Sequence, residues 1–374
     1  MQIVEITAGT LRFADAVPAT APADGFVWIY LDRAEFAAHP DIVQQAAQRL
    51  GGSALLDVHV VDLVSELHPS DYDATSIYDI VIFRRLATAE EAPPRVSADL
   101  AADPSADALA VFARIESRQI GFAIFDKLLI SVHPPGCHSA PGFIQRFLTD
   151  AQLSADQMLN PRNLAPQSPA DLTLRMINSM VEGYLNLRKD LASALESVQH
   201  ELLRSQPQPS AWRAVIHARR RLHLLEDLCE EQHDAIQEWL DTLSELPLSA
   251  YAADPAQAQH RRDQLVARTR DVIEHIDRVL RHARRLEQSA EAAVQIHFGA
   301  QGQRTNDIMR VLTAITAIFL PLNLFTGFFG MNFDSLPLIH SAIGMWAALV
   351  LLALLAAAVL VWFWRRRYIT EMQD

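Results

Sequence analysis

The sequence predicts an α/β N-terminal domain followed by long stalk helices and two transmembrane helices, and three observations lead to this class. Short apolar runs of β type alternate with turns over the first 135 residues. Three segments beyond residue 171 keep apolar side chains at helical spacing, with almost no glycine or proline inside them. No charged residue falls between Asp334 and Arg365.

Composition sets the outer bounds. A chain of 374 residues with 50% hydrophobic and 21% charged side chains folds as one to three domains and is not disordered over most of its length. The net charge is -13, and residues 1–150 carry 20 acidic against 10 basic side chains, so -10 of it sits at the front. Such an acidic face excludes nucleic acid as a partner, because phosphate binding needs clustered basic residues, and points to cations instead. Two cysteines, Cys137 and Cys229, cannot build a disulfide framework or a four-cysteine zinc site, which suits a reducing compartment. Met1–Val17 lacks the basic segment and apolar core expected of a cleaved signal peptide.

In chain order, Phe26–Leu31, Leu55–Val61, Tyr78–Phe83, Ala108–Ile115 and Ile120–Val132 read as strands, and Ala38–Leu50 and Ser139–Leu148 as helices. Prolines between Pro161 and Pro169 mark the end of this domain, assigned to residues 1–168. Asp171–Ser205 and Ala211–Leu246 then form a helical hairpin (169–250), with Pro207, Pro209, Pro247 and Pro255 at the joins. From Ala256 a stalk helix (251–307) continues into the first span without a proline before Pro321. A helix of this length needs partners, either within one subunit or around the axis of an oligomer.

Val311–Phe333 and Ile343–Trp364 contain 23 and 22 residues without a charge, enough to cross a bilayer. The spans are assigned to residues 308–333 and 343–364, joined by an outer loop (334–342) and followed by a basic tail (365–374). Arg304 and Arg310 precede the first span and Arg365, Arg366 and Arg367 follow the second, while the loop has no Lys or Arg. The positive-inside rule therefore predicts a multi-pass protein with cytoplasmic N- and C-termini and an outward-facing loop.

Read as a helix, the first span aligns Asn306, Met309, Leu312, Thr316, Leu320, Asn323 and Gly327 on one face. This stripe of amides and hydroxyls between apolar side chains either glues helices together or, if several copies surround an axis, lines a pore with hydrophobic constrictions. Two spans cannot enclose a pore, so a channel requires an oligomer.

The segments Thr305-Asn306-Asp307-Ile308-Met309-Arg310-Val311-Leu312-Thr313, Phe319-Leu320-Pro321-Leu322 and Gly327-Phe328-Phe329-Gly330-Met331-Asn332-Phe333 resemble the first membrane helix and signature loop of the CorA family of divalent-cation transporters. The resemblance implies a homopentamer with a cytoplasmic funnel and a pore lined by the first span. It makes Gly330, Met331 and Asn332 the selectivity mouth, Met309 and Leu312 the gate, Leu320 a further constriction, and Asn306, Thr316 and Asn323 polar rings. The cargo it implies is Mg²⁺ or another divalent ion such as Co²⁺ or Ni²⁺, with no cofactor. Family members often carry acidic residues after the signature, whereas here the stretch is Asp334-Ser335-Leu336-Pro337-Leu338. Only Asp334 supplies a carboxylate, which leaves room for the related ZntB-type zinc importers, possible partners of a proton gradient. A membrane-anchored sensor or scaffold without transport is the rival of another class.

The resemblance also implies divalent cations bridging carboxylates of neighbouring cytoplasmic domains. Asp271 is the candidate on the stalk, against a plain helix-face charge beside Arg268 and His275; its partner among the N-terminal aspartates is left open. Residues 226–245 crowd acidic side chains on one helix, either a cation-attracting collar or a solvated face. His133, Cys137 and His138 flank a Pro-Pro-Gly turn and form a weaker zinc candidate. No Walker-type loop, G-x-S-x-G or H-E-x-x-H occurs, so neither an enzyme nor a nucleotide-driven pump is expected.

Overall fold

A computed structural model describes residues 1–7, 10–87, 91, 104–137, 142–145, 166–202, 209–252, 254–331 and 342–365. The chain divides into two units, Met1–Ala292 and Ala293–Asp374.

The first unit is built on a seven-stranded sheet of strand order β2-β1-β3-β7-β6-β5-β4. Its strands are β1 (Gln2–Thr7), β2 (Thr10–Ala14), β3 (Gly25–Asp32), β4 (Asp71–Ala74), β5 (Asp79–Leu86), β6 (Ser117–Ile124) and β7 (Leu128–His133). Only β3 and β7 pair in parallel, with Ile29 opposite Ile130; the other pairs are antiparallel. The central strands read as unbroken apolar runs because both faces are covered, and β7 is buried at every position. Helices α1 (Arg33–Ala38), α2 (Pro40–Ala46) and α3 (Asp57–Val64) lie against one face, where Phe36, Val43 and Leu63 join Val27, Ile29 and Ile130 in one core. The first of these starts at a reciprocal cap, Asp32 accepting from the Glu35 amide while the Glu35 carboxylate accepts from the Asp32 amide.

Several elements depart from expectation. Leu55–Val61, expected as a strand, is helix α3. It buries His59 and Leu63, four residues apart, and leaves Val58 and Val61 exposed. Tertiary fit overrides β-propensity here: Leu63 Cδ2 lies 2.5 Å from where a Cβ on Gly121 would stand, so the helix packs onto a glycine notch in β6. Ala108–Ile115, also expected as a strand, belongs mostly to helix α4 (Pro104–Ala113). Its alanines favour the helix, and Ala108 and Phe112 are buried one turn apart. The expected strand Ile120–Val132 is the β6–β7 hairpin, turning at Asp126-Lys127 where the Phe125 amide donates to the Leu128 carbonyl at 2.8 Å. Ala38–Leu50 is helical but broken at His39, and it ends at Gly52 with φ 87°, a left-handed position that suits glycine. Strands β1, β2 and β4 were not anticipated. Of the expected helix Ser139–Leu148 only residues 142–145 are described, and they are helical.

Helices α5 (Pro169–Glu182) and α6 (Tyr184–Leu202) replace the single expected helix Asp171–Ser205, with the interruption at Gly183. Ser168 caps α5 by accepting from the Asp171 amide, and Pro169 occupies the first turn where no amide is needed. Asp171 pairs with Arg175 at 3.1 Å and with Arg268 of the stalk at 2.7 Å. Helix α7 (Pro209–Glu245) buries Leu222, Leu225, Cys229, Ile236 and Trp239 along one stripe. Its Trp239 stacks on Tyr72 of β4, with ring centroids 6.1 Å apart and planes inclined by 20°. Helix α8 (Pro255–Phe329) is continuous over 75 residues with Pro321 inside it. Val272, Ile276, Ala283 and Ala290 are buried on its first half.

The second unit contains the remainder of α8 and helix α9 (Ala342–Arg365). Among the described residues, α8 is long and apolar enough to cross a membrane, and Trp346–Trp362 forms a shorter apolar stretch. Leu324, Phe319, Leu354 and Ile343 stand exposed here, the reverse of the first unit.

Candidate ion pathway

The predicted stripe lies on the part of α8 that the second unit leaves uncovered. Asn306, Met309, Leu312, Thr316, Leu320, Asn323 and Gly327 are all exposed. Leu320 is 68% exposed and Met309 and Leu312 are each 56% exposed. Ala314 is buried, and Asp307, Ala317, Ile318, Pro321, Leu322 and Phe325 are partly buried. At about 3.6 residues per turn these two sets centre on nearly opposite sides of the helix. The chain covers one face of its own first span and leaves the polar stripe without intrachain cover.

The hydroxyl of Thr316 donates to the Leu312 carbonyl at 2.8 Å. Its proton is thereby committed to backbone, and its oxygen turns only lone pairs outward. Asn306 and Asn323 add amide oxygens at other levels of the stripe. Water bound to a cation points its hydrogens away from the ion, so acceptors of this kind can hold a hydrated dication without stripping it. Met309, Leu312 and Leu320 separate these levels with exposed apolar side chains.

The helix finishes beside the signature. Gly330 donates to the Thr326 carbonyl at 2.9 Å, and Met331 donates to that of Phe328 at 3.4 Å. A Cβ at Gly330 would stand 3.0 Å from the Thr326 oxygen, a close approach at this last turn. Asn332, Asp334, Arg366 and Arg367 lie outside the described residues, as does His138.

The other predicted residues are placed as follows. Asp271 is 60% exposed, with His275 Nε2 4.0 Å away on its own helix. His133 and Cys137 do come together, Sγ to Nδ1 at 3.7 Å, and both are buried. Arg85 Nη2 donates to the same sulfur at 3.1 Å and forms a two-pronged pair with Glu91 at 2.7 and 2.6 Å. Burial and the nearby Arg85 and Arg33 push His133 down to about 3, so it is neutral. A metal at this thiol would meet a guanidinium already seated there.

Two groupings were not found from sequence. His59, buried in α3, bonds Tyr78 Oη through Nδ1 and Asp73 Oδ2 through Nε2, both at 2.9 Å. This ties α3 to the β4–β5 hairpin across 14 to 19 residues, a spacing with no motif to reveal it. His223, Glu226 and Glu287 bring one ligand atom each within 4.8 Å of one another. The first two share an i,i+3 step visible in the sequence, but the third is reached only through the pairing of α7 with α8. Part of the acidic helix is likewise tied to the stalk, since Arg284 pairs with Glu226 at 2.6 Å and with Glu230.

Comparison with known proteins completes the picture. A family model described as CorA-like Mg2+ transporter protein matches residues 106–367. The "Cobalt/magnesium transport protein CorA" of Thermotoga maritima is 22% identical over 209 residues, which span 56% of this chain and 55% of that protein. The "Putative metal ion transporter YfjQ" of Bacillus subtilis is 45% identical over 60 residues, spanning 16% of this chain and 19% of that one. The matches thus span about half or less of these relatives' length. The solved structure of a CorA magnesium transporter from Methanocaldococcus jannaschii superposes over 97% of each chain with a TM-score of 0.69 at 15% identity, a likeness of fold. With more than half of its residues inside the family model, the chain belongs to the CorA-like Mg2+ transporter family, a family of membrane transporters and not of enzymes.

Proposed function

We propose that the chain is one subunit of a homopentameric channel that carries Mg²⁺, and Co²⁺ or Ni²⁺, across the inner membrane into the cytoplasm. The observation that carries this reading is the exposed stripe from Asn306 to Gly327, opposite the covered face of the same helix and running up to Gly330. Five copies with their stripes turned inward give rings of acceptors at Asn306, Thr316 and Asn323 and apolar constrictions at Met309, Leu312 and Leu320. Gly330, Met331 and Asn332 form the mouth in this reading, and Asp334 adds one carboxylate per subunit to concentrate cations there. Both termini are cytoplasmic, and residues 1–168 with the hairpin and stalk form the cytoplasmic portion. Asp271 serves as one ligand of a regulatory cation shared with a neighbouring subunit.

No nucleotide is required. A potential of 100 mV is worth about 2.3 kcal/mol per charge, hence about twice that for a dication moving inward.

The depleted outer loop, Asp334-Ser335-Leu336-Pro337-Leu338, supports a second reading as a zinc importer coupled to protons. Uptake by proteoliposomes of the full-length protein under an inside-negative potential separates the two. Mg²⁺ entry driven by potential alone, and its loss in Asn332→Ala, is the expected result. Zn²⁺ entry that depends on a pH gradient moves the protein to the zinc reading, and absence of both fluxes leaves a membrane-anchored scaffold.

A further inference from the structure

The helix pair formed by α7 and the first half of α8 is laced by polar contacts, in which an arginine or histidine on one helix meets a carboxylate on the other. Arg219 meets Glu291 at 2.8 Å. Arg284 meets Glu226 at 2.6 Å and also Glu230. Further along, His233 Nε2 lies 3.8 Å from Asp277. Between the first two of these rungs the pattern breaks. Glu287 of α8 faces not an arginine but a second carboxylate, Glu226, with the imidazole of His223 beside them, and the three ligand atoms all lie within 4.8 Å.

The geometry of Glu226 divides its labour. Oε1 accepts from Arg284 Nε at 2.6 Å, whereas Oε2 is turned to His223 Nδ1 at 4.0 Å. On the far side of the imidazole, Nε2 lies 3.9 Å from Asp227 Oδ1. Brought to hydrogen-bond distance, such a carboxylate would orient a metal-bound imidazole. Bonds of about 2.0–2.2 Å to a central ion place neighbouring ligand atoms somewhat closer than they stand here, a contraction within reach of side-chain rotation.

We propose that His223, Glu226 and Glu287 bind a transition-metal dication of the Zn²⁺ or Co²⁺ type, which supplies the positive charge missing from this rung and clamps α7 to the stalk. One imidazole nitrogen with two carboxylates suits such an ion, with water completing its shell. Mg²⁺ prefers an all-oxygen shell and disfavours it. The site is separate from the stripe, and binding to it does not depend on transport.

Full-length protein in detergent, stripped by chelator, is titrated with Co²⁺ and followed by the visible absorption of the bound ion. The expected result is a saturable spectrum that Zn²⁺ displaces and excess Mg²⁺ does not. His223→Ala and Glu287→Gln should each weaken binding by about tenfold or more. His223 is 61% exposed and the glutamine keeps the shape of Glu287, so both variants retain the fold. Asn332→Ala should leave the spectrum intact even where it abolishes flux, which separates this site from the pathway. A cobalt spectrum unchanged by both substitutions, or no saturable spectrum in the unaltered protein, overturns the proposal.

Discussion

The two units put the same side chains to opposite uses. In Met1–Ala292 the sheet buries Val27, Ile29, Phe122 and Ile130 completely, while charged residues face outward in ion pairs such as Arg114–Asp190 at 2.7 Å. In Ala293–Asp374 leucines, valines and phenylalanines stand exposed along α8 and α9, and Asn306, Thr316 and Asn323 share one exposed stripe of α8. Burial of apolar surface drives folding only where water is the alternative. A unit that shows water this much apolar surface is shaped for hydrocarbon, and a polar stripe facing lipid would be costly. The stripe therefore calls for cover that a single chain does not provide. In the proposed oligomer, an axis shared with other copies would give that cover and, at the same time, a path for an ion.

If the stripe is a gated path, charging its constriction produces the largest effect. Met309→Asp should wet the narrow passage and raise basal cation leak severalfold in liposomes. A closed and silent variant would mean that Met309 does not face the path. The first unit responds differently, through packing. Trp239 is fully buried and stacked on Tyr72, so Trp239→Ala should cost about 3–5 kcal/mol, read as an earlier denaturation midpoint of the first unit. A loss below about 1 kcal/mol would show that the contact between α7 and β4 is not held in solution.

A smaller effect tests the electrostatics of the same joint. Burial raises Asp79 to about 6, with Asp126 and Asp73 adding repulsion and the Tyr72 hydroxyl partly offsetting them. A carboxyl whose folded pKa lies above its unfolded value favours folding in acid and loses that contribution as pH rises through about 6. Asp79→Asn should therefore stabilise the protein by about 1–2 kcal/mol at pH 8 and leave it nearly unchanged at pH 4. Equal effects at both values would show that Asp79 titrates normally.

The two units also differed in how far the sequence disclosed them. The two apolar helices, the continuity of α8 and the shared face of the stripe residues were legible because a long charge-free run and a fixed helical step need no knowledge of the rest of the chain. The sheet was legible only in its central strands. Leu55–Val61 and Ala108–Ile115 were misread because short β-branched or apolar runs suit either state, and what decided them was a distant notch at Gly121 and the burial of Phe112. The edge strands β2 and β4 are short and largely exposed, and β1 beside β2 has only six residues, so their weak alternation gave little signal. The same reasoning separates the sites. The stripe lies on one helix and could be read directly, whereas Glu287 joins His223 only through helix pairing. Arg85 reaches Cys137 only through the sheet.

The central claim is that the stripe faces water and its neighbouring faces do not. It is tested most directly by single cysteines along α8, since native Cys137 and Cys229 are buried in the first unit. A membrane-impermeant, water-soluble thiol reagent should block flux and label the protein at Met309→Cys, Thr316→Cys and Asn323→Cys, and should spare Ile315→Cys and Phe319→Cys. Labelling confined to positions 315 and 319, or equal at all five, would contradict the account.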